Sequence, residues 1–136
     1  MKRKISHNEH AEIIQKLNSI SDTWSDLWFF LSLTDMCAKQ VLHLKFTDVE
    51  NGAVKSFCHK RNRMLNTQLA RELENLINRR KTQYPADKYI FQSHSNRVKY
   101  LNKPVTLIAF NAALRKVGNT MKLKALSSKC ATKPYG

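Results

Sequence analysis

The side chains with the clearest chemistry in this sequence are lysines and arginines, most of which lie in its second part. Ammonium and guanidinium groups pair with phosphates, and each pair displaces counterions from a nucleic acid, so that binding depends on salt. The pattern therefore indicates a nucleic-acid partner. The candidate contacts lie on a predicted hairpin, in a loop, on a helix and near the end of the chain: Lys60, Arg61, Arg63, Lys99, Arg115, Lys122, Lys124 and Lys129.

The charge distribution supports this interpretation. Residues 1–50 hold six Lys/Arg and seven Asp/Glu, a net charge of −1, whereas residues 51–136 hold 18 Lys/Arg and three Asp/Glu, a net charge of +15. A surface charged only for solubility usually mixes both signs, and no apolar run approaches the roughly 18 residues of a membrane span. The imbalance favours a polyanionic partner, although Lys81, Lys88 and Lys133 are expected to be solvated surface.

The length and composition predict a single intracellular domain. A chain of 136 residues with 42% apolar content can bury a sizeable core, and residues 1–136 leave no room for a second domain. The N-terminus is basic but leads directly into polar residues, so it lacks the apolar region of a secretory signal. We therefore expect a cytoplasmic protein.

Neither the cysteines nor the histidines predict a metal or cofactor. Cys37, Cys58 and Cys130 are odd in number and widely separated, which argues against a disulfide framework and against a zinc site. We expect reduced, mostly buried thiols. His7 and His10 lie about one helical turn apart, but no third or fourth ligand lies nearby, so an exposed first helical turn is the preferred interpretation.

The first 66 residues predict three helices and a hairpin. A capping box of Ser6 and Glu9 precedes a helix at about residues 8–18, and a helix that is apolar almost all round follows from Asp22. Residues 38–45 predict a short third helix. Two strands, residues 53–58 and 63–66, flank a polar turn at residues 59–62, which gives a hairpin with a basic tip.

The remainder predicts mainly helices. Thr67 is the expected cap of a helix whose apolar positions are Leu69, Leu73, Leu76 and Ile77. A short apolar segment, residues 89–91, precedes a basic loop. Pro104 is expected to open a further helix that stops at Gly118. Leu123, Leu126 and Cys130 allow one last short helix.

This order of elements resembles the catalytic domain of the tyrosine recombinase, or phage integrase, family. Residues 34–49 are similar to that family's first signature, residues 89–93 to the short strand before its last helices, and residues 109–118 to the helix that leads into its second signature. The matching scaffold positions of the first signature are Thr34, Leu42, Leu44, Phe46 and Asp48. The resemblance implies an α+β, mainly α fold, with about six helices and a small antiparallel sheet or hairpin.

The resemblance also implies that the catalytic groups are missing. In the family, two arginines hold the scissile phosphate while a tyrosine hydroxyl attacks phosphorus. The corresponding positions here hold other residues: Cys37 and Ser127 at the arginines, Gln40 at the glutamate, Lys124 at the histidine, and Lys60, with Lys55 as an alternative, at the lysine. The family's tyrosine segment and its N-terminal core-binding domain are expected to be absent, and Tyr135 is too close to Ser127 to replace the nucleophile.

The sequence thus predicts a catalytically inactive, integrase-like protein of a bacterium, phage or other mobile element that binds duplex DNA through a basic face. Two alternatives stay open. One is an active recombinase whose catalytic residues are displaced from the positions above. The other is an interaction module that docks on an intact recombinase or self-associates.

Overall fold

The computed structural model describes residues 6–34, 36–58, 62–94, 102–123 and 126–127. Within these residues the chain forms five α-helices and a three-stranded antiparallel sheet, which confirms the predicted mainly α, α+β class. The elements are, in chain order, α1 (His7–Ile20), α2 (Asp22–Ser32), α3 (Ala38–Leu42), a 3₁₀ turn (Phe46–Asp48), β1 (Val49–Glu50), β2 (Ala53–Cys58), β3 (Arg63–Gln68), α4 (Arg71–Gln83) and α5 (Leu107–Thr120). None of the described helices is long and apolar enough to cross a membrane.

The chain divides into two compact units. The first comprises Met1–Ala38 and Thr106–Gly136, so that it contains α1, α2 and α5, and the second comprises Lys39–Val105 with the sheet and α4.

Helix α1 begins at the capping box that the sequence predicts, and α2 begins at Asp22, as predicted, after a cap at Ser21. The Ser6 side chain accepts from the Glu9 backbone N–H while the Glu9 carboxylate accepts from the Ser6 N–H, which completes the capping box. Ser21 then accepts from the Thr23 N–H at 3.2 Å and starts α2 one residue after α1 ends. Each cap satisfies N–H groups that have no partner inside the helix.

Aromatic side chains of α2 connect it to both neighbouring helices. The indole N–H of Trp28 donates to Nδ1 of His10 on α1 at 2.8 Å, and the ring of Trp24 lies 5.6 Å from that of Phe110 on α5. Trp28 and Phe110 are completely buried. These contacts explain why the sequence of α2 is apolar on nearly every side, although Leu33, at its C-terminal cap, is 42% exposed.

The sheet of the second unit has the strand order β1-β2-β3. Asn51 and Gly52 have φ angles of 52° and 76° and connect β1 to β2 in the tight turn that Asn-Gly favours. Val54, Ser56 and Cys58 are buried, whereas Lys55 and Phe57 are exposed, as the two-residue period of a strand requires.

Arg80 fixes the segment that follows α4. The residue is completely buried, its Nε–H donates to the carbonyl of Ile90 at 2.8 Å, and its guanidinium carbon lies 5.2 and 5.4 Å from the ring centroids of Tyr84 and Phe91. A buried guanidinium is tolerated because it is hydrogen-bonded and lies against aromatic rings. Arg80 therefore has a structural role that its position in a basic run does not suggest.

Two predicted helix boundaries near the sheet and α3 are wrong. Helix α3 ends at Leu42 and not at Lys45, because Lys45 forms a bridge with Tyr89. Thr67 caps no helix, since it pairs with Val54 inside β3, and α4 begins after Ala70.

Two predicted boundaries of α5 are also wrong. Pro104 bridges Gln92, and the helix begins at Leu107, where the Thr106 side chain accepts from the Ala109 N–H at 3.1 Å. Gly118 lies inside α5 rather than beyond its end. A Cβ added at Gly118 would meet the carbonyl oxygen of Leu123 at 3.0 Å and Cβ of Leu126 at 3.1 Å. This glycine therefore permits a close approach of the following chain to the helix.

Candidate nucleic-acid interface

The hairpin of β2 and β3 presents one of the predicted phosphate contacts within the described residues. Arg63 is the first residue of β3, pairs with Cys58 across the hairpin and is exposed. Lys60 and Arg61 of the predicted basic tip lie outside the described residues. The well-paired strands hold the start of β3 in place, which suits a cation that must meet a phosphate at a fixed position.

Helix α5 and the chain after it present two more of these contacts. Arg115 is exposed on α5, and Lys122 is exposed immediately after the helix. The N–H of Leu123 donates to the carbonyl of Gly118 at 2.8 Å, and that of Lys122 donates to Asn119 at 3.4 Å. This Schellman pattern turns the chain back over the end of α5. Lys99, Lys124 and Lys129, the other candidates, lie outside the described residues.

Lys122 has a left-handed backbone conformation, with φ 58°. The left-handed position of a Schellman motif is usually glycine, because a Cβ is disfavoured there. Lys122 therefore has a backbone conformation that is unfavourable for a residue with a Cβ. Its side chain begins at a turn that is fixed by hydrogen bonds.

The two residues expected at the family's arginine positions differ in exposure. Cys37 is exposed just before α3, whereas Ser127 is half-buried after the buried Leu126. The expectation of mostly buried thiols is therefore wrong for Cys37 and correct for Cys58, which is buried; Cys130 lies outside the described residues. Neither a thiol nor a hydroxyl supplies the permanent charge and planar donor fork of an arginine.

The segment that we expect to match the first signature has buried apolar positions and hydrogen-bonded polar side chains. Leu42 and Leu44 are buried, and the Asp48 carboxylate accepts from the Lys45 N–H at 2.9 Å. Gln40, which we expect at the glutamate position, is buried and donates from Nε2 to Oγ of Ser56 on β2 at 3.2 Å. This bond between α3 and β2 is a contact that sequence reasoning missed, because it requires knowing which residue of β2 faces the helix.

Asp87, the last side-chain carboxylate in the sequence, has its partners within its own loop. Its Oδ2 lies 2.7 Å from Nε2 of His94, and its Oδ1 accepts from Gln92 at 3.2 Å. Gln92 in turn accepts from the backbone N–H groups of Lys88 and Tyr89. The carboxylate thus holds the described segment 87–94 together.

His10 is half-buried against Trp28 of α2, so the expectation of an exposed first helical turn is wrong for this residue. Its Nδ1 accepts the indole hydrogen bond of Trp28, so this nitrogen is engaged by the protein. Burial lowers the pKa of His10, and the nearby His7 lowers it further. Among the described residues, no three His, Cys, Asp or Glu side chains are grouped so that they could hold a metal ion.

Comparison with known proteins gives a structural answer only. No protein-family model matches the sequence, and no curated protein matches it. Solved structures match over nearly the whole chain. The lambda integrase catalytic core has a TM-score of 0.79 at 10% identity, covering 98% of this chain and 80% of its own. A lambda integrase dimer bound to a COC′ core site has a TM-score of 0.74 at 11% identity, with coverages of 97% and 40%.

A second recombinase agrees with this result. The XerA recombinase has a TM-score of 0.72 at 15% identity over 97% of this chain and 47% of its own. The chain therefore spans less than half the length of the XerA recombinase and of the DNA-bound lambda integrase dimer above. Together with the element order and the first-signature scaffold, these matches show that the chain has a tyrosine recombinase-like fold.

Proposed function

We propose that this chain binds duplex DNA through its basic residues and does not catalyse strand exchange. The observation that carries the proposal is the net charge of +15 over residues 51–136 on a recombinase-like fold. Lambda integrase, whose catalytic core is similar in fold, is bound to DNA in several solved structures. A duplex is therefore the polyanion that this charge and this fold jointly favour.

The exposed cations support binding that depends little on base sequence. Arg63, Arg115 and Lys122 are exposed, and side chains of this kind contact phosphates, which fix register but carry no sequence information directly. Such binding has a Kd on the order of 10⁻⁴ to 10⁻⁶ M at physiological salt.

The absence of catalysis is supported by the residues at the family's arginine positions. The removal of one well-placed oxyanion donor costs about 2.7–4 kcal/mol, or about 10²–10³ in rate. Cys37 and Ser127 replace two charged donors, and Lys124 is a poor general base near neutral pH. Losses within one site are not additive, so the two losses cannot be summed. The loss of a single donor is therefore the lower bound that we use. Strand cleavage is thus expected at the background rate.

The binding proposal is tested by fluorescence anisotropy with a blunt duplex at 50 and 200 mM salt. The affinity should fall steeply between the two concentrations, and no binding at the lower one would contradict the proposal. A double variant, Arg63→Gln with Arg115→Gln, should reduce the slope of log K against log salt by about 1.8, since each phosphate contact contributes about 0.9. Lys81→Gln with Lys88→Gln removes the same charge from expected solvated surface and is the matched control.

The proposed inactivity is tested with a nicked duplex that traps covalent protein–DNA adducts. No adduct should form. An adduct would instead support the alternative of an active recombinase with displaced catalytic residues, and mapping of its linkage would identify the nucleophile.

A further inference from the structure

A cavity of about 170 Å³ lies beside β2 in the second unit. Strand β1 pairs only with Ala53 and Val54, so from Lys55 onwards β2 pairs with β3 alone among the described strands. Residues of α3 and of the hairpin are among those that line the cavity: Lys39, Gln40, Lys55, Ser56, Phe57 and Met64. Its volume holds several water molecules, which is enough for one planar ring and too little for a stacked pair.

One wall of the cavity is apolar and solvent-accessible. Phe57 is 40% exposed and Met64 is 60% exposed, and the two residues are direct cross-strand partners in the hairpin. Large apolar side chains are costly to leave in water, and an aromatic ring fixed on a strand is a surface on which a nucleobase stacks. The sulfur and methylene groups of a methionine beside it adapt to the ligand's shape.

Buried polar groups also line the cavity. Gln40 and Ser56 are 8% and 6% exposed, and the amide and hydroxyl lie 3.2 Å apart as donor and acceptor. An amide and a hydroxyl have both donor and acceptor capacity. Because these two side chains hydrogen-bond to each other, they hold α3 against β2 beside the cavity.

The rim of the cavity carries positive charge. Lys39 and Lys55 are both exposed, and Lys55 lies two residues before Phe57 on the same face of β2. The carboxylate at the cavity, that of Asp48, accepts a backbone hydrogen bond from Lys45. A ligand that places a ring against Phe57 thus meets two ammonium groups where a phosphate would lie.

From this combination we propose that the cavity binds one unpaired nucleotide of DNA, with its base on Phe57 and its phosphate at Lys39 and Lys55. The bases of an intact duplex are paired and stacked, so the ligand is a nucleotide at an overhang, a gap or a displaced strand. The inference rests on the proposed DNA-binding function. It adds a preference for unpaired nucleotides, which phosphate contacts alone do not give, because blunt ends and overhanging ends both present phosphates.

The test compares three duplexes with equal numbers of base pairs, in low salt: blunt, with a three-nucleotide adenine overhang, and with an abasic overhang of the same length. Stacking of one base is expected to make the adenine overhang bind about tenfold more tightly than the abasic one. Phe57→Ala should abolish this difference and leave the blunt duplex unaffected, whereas Phe57→Trp should keep it. Ile108→Ala truncates another exposed apolar residue, 82% exposed on α5, and is the matched control.

The outcomes separate this inference from the function on which it rests. Equal binding of adenine and abasic overhangs, with the blunt duplex still bound, overturns the nucleotide site alone and leaves the cavity to a ligand without a base, such as an acidic protein segment. A preference that survives Phe57→Ala in a variant with unchanged circular dichroism overturns the location. Failure to bind any of the three duplexes overturns both proposals.

Discussion

Lys122 allows the stability of the fold and the affinity for DNA to be separated by one substitution. The residue is exposed and left-handed, with φ 58°, directly after α5. A left-handed conformation costs an L-residue about 1–2 kcal/mol, while glycine returns about 0.5–1 kcal/mol of this through its greater freedom in the unfolded chain. Lys122→Gly should therefore stabilise the protein by about 1 kcal/mol, since an exposed side chain forfeits little packing.

The same substitution should weaken DNA binding. If the Lys122 ammonium contacts one phosphate, its removal lowers the slope of log K against log salt by about 0.9. Urea-induced unfolding, followed by the fluorescence of Trp24 and Trp28, measures the stability, and anisotropy at several salt concentrations measures the slope. Lys122→Arg is the control that keeps the charge and the strained backbone, so both quantities should stay at their original values.

The effect on stability and the effect on affinity are tested separately. A glycine variant no more stable than the original protein would show that the left-handed backbone of Lys122 carries no strain. A more stable variant with an unchanged salt slope would show that the ammonium group contacts no phosphate. Lys122→Asn distinguishes the effects further, because asparagine tolerates this conformation and lacks the charge.

Three further predictions concern stability and are measured by urea unfolding. Gly118→Ala should cost about 1 kcal/mol, because the contacts at 3.0 and 3.1 Å outweigh the gain in helix propensity, whereas exposed Asn119→Ala on the same helix should stabilise slightly. Arg80→Met should cost about 1–3 kcal/mol, since a buried carbonyl loses its donor; exposed Arg79→Met is the control, and an equal effect of both would contradict the role of Arg80. The lowered pKa of His10 means that stability falls as the pH drops below about 6.5, where the unfolded chain takes up the proton first. His10→Gln, which keeps an acceptor for the indole, should reduce this fall, and an unchanged pH dependence would contradict it.

Local signals in the sequence predicted the elements whose causes are local. The capping box of Ser6 and Glu9, the apolar pattern from Asp22 and the alternation over residues 53–58 each gave a helix or strand close to the observed one. In these segments the side chain that starts or orients the element lies within a few residues of it. The same holds for the Asn51-Gly52 turn, whose type depends on these two residues.

The boundaries that sequence reasoning missed depend on distant contacts. Strand β3 extends over Thr67 because β2 is long enough to pair with it, and the Leu69 N–H then donates to the carbonyl of Gly52 at 2.8 Å. Pro104 stays outside α5 because the next residue, Val105, donates to Phe91 at 2.9 Å. Thr67 and Pro104 are ordinary helix starters, and only a partner more than ten residues away overrides that preference.

The candidate site was predictable in its charge but not in its geometry. The cations near the hairpin and α5 follow from composition, since a net charge of +15 must be distributed over the surface. The burial of Arg80 within a basic run, and the contact of Gln40 with Ser56, do not follow from it. Both contacts depend on which side chains the folded chain brings together. The same residue types on a solvated face would give the same sequence pattern, so the sequence does not distinguish the two cases.

Binding and catalysis place different demands on the residues of a recombinase-like fold. Phosphate binding sums many weak, exchangeable contacts, so the affinity survives the loss of any one cation. Catalysis requires donors within a fraction of an ångström of the developing charge, and one replacement costs two to three orders of magnitude. With 18 basic residues after residue 50, and with Cys37 and Ser127 at the positions where we expect the arginines, the proposed function is that this chain meets the first demand and not the second. The proposed function follows from this asymmetry. It predicts that Cys37→Arg with Ser127→Arg leaves the adduct assay negative and raises the affinity for duplex DNA.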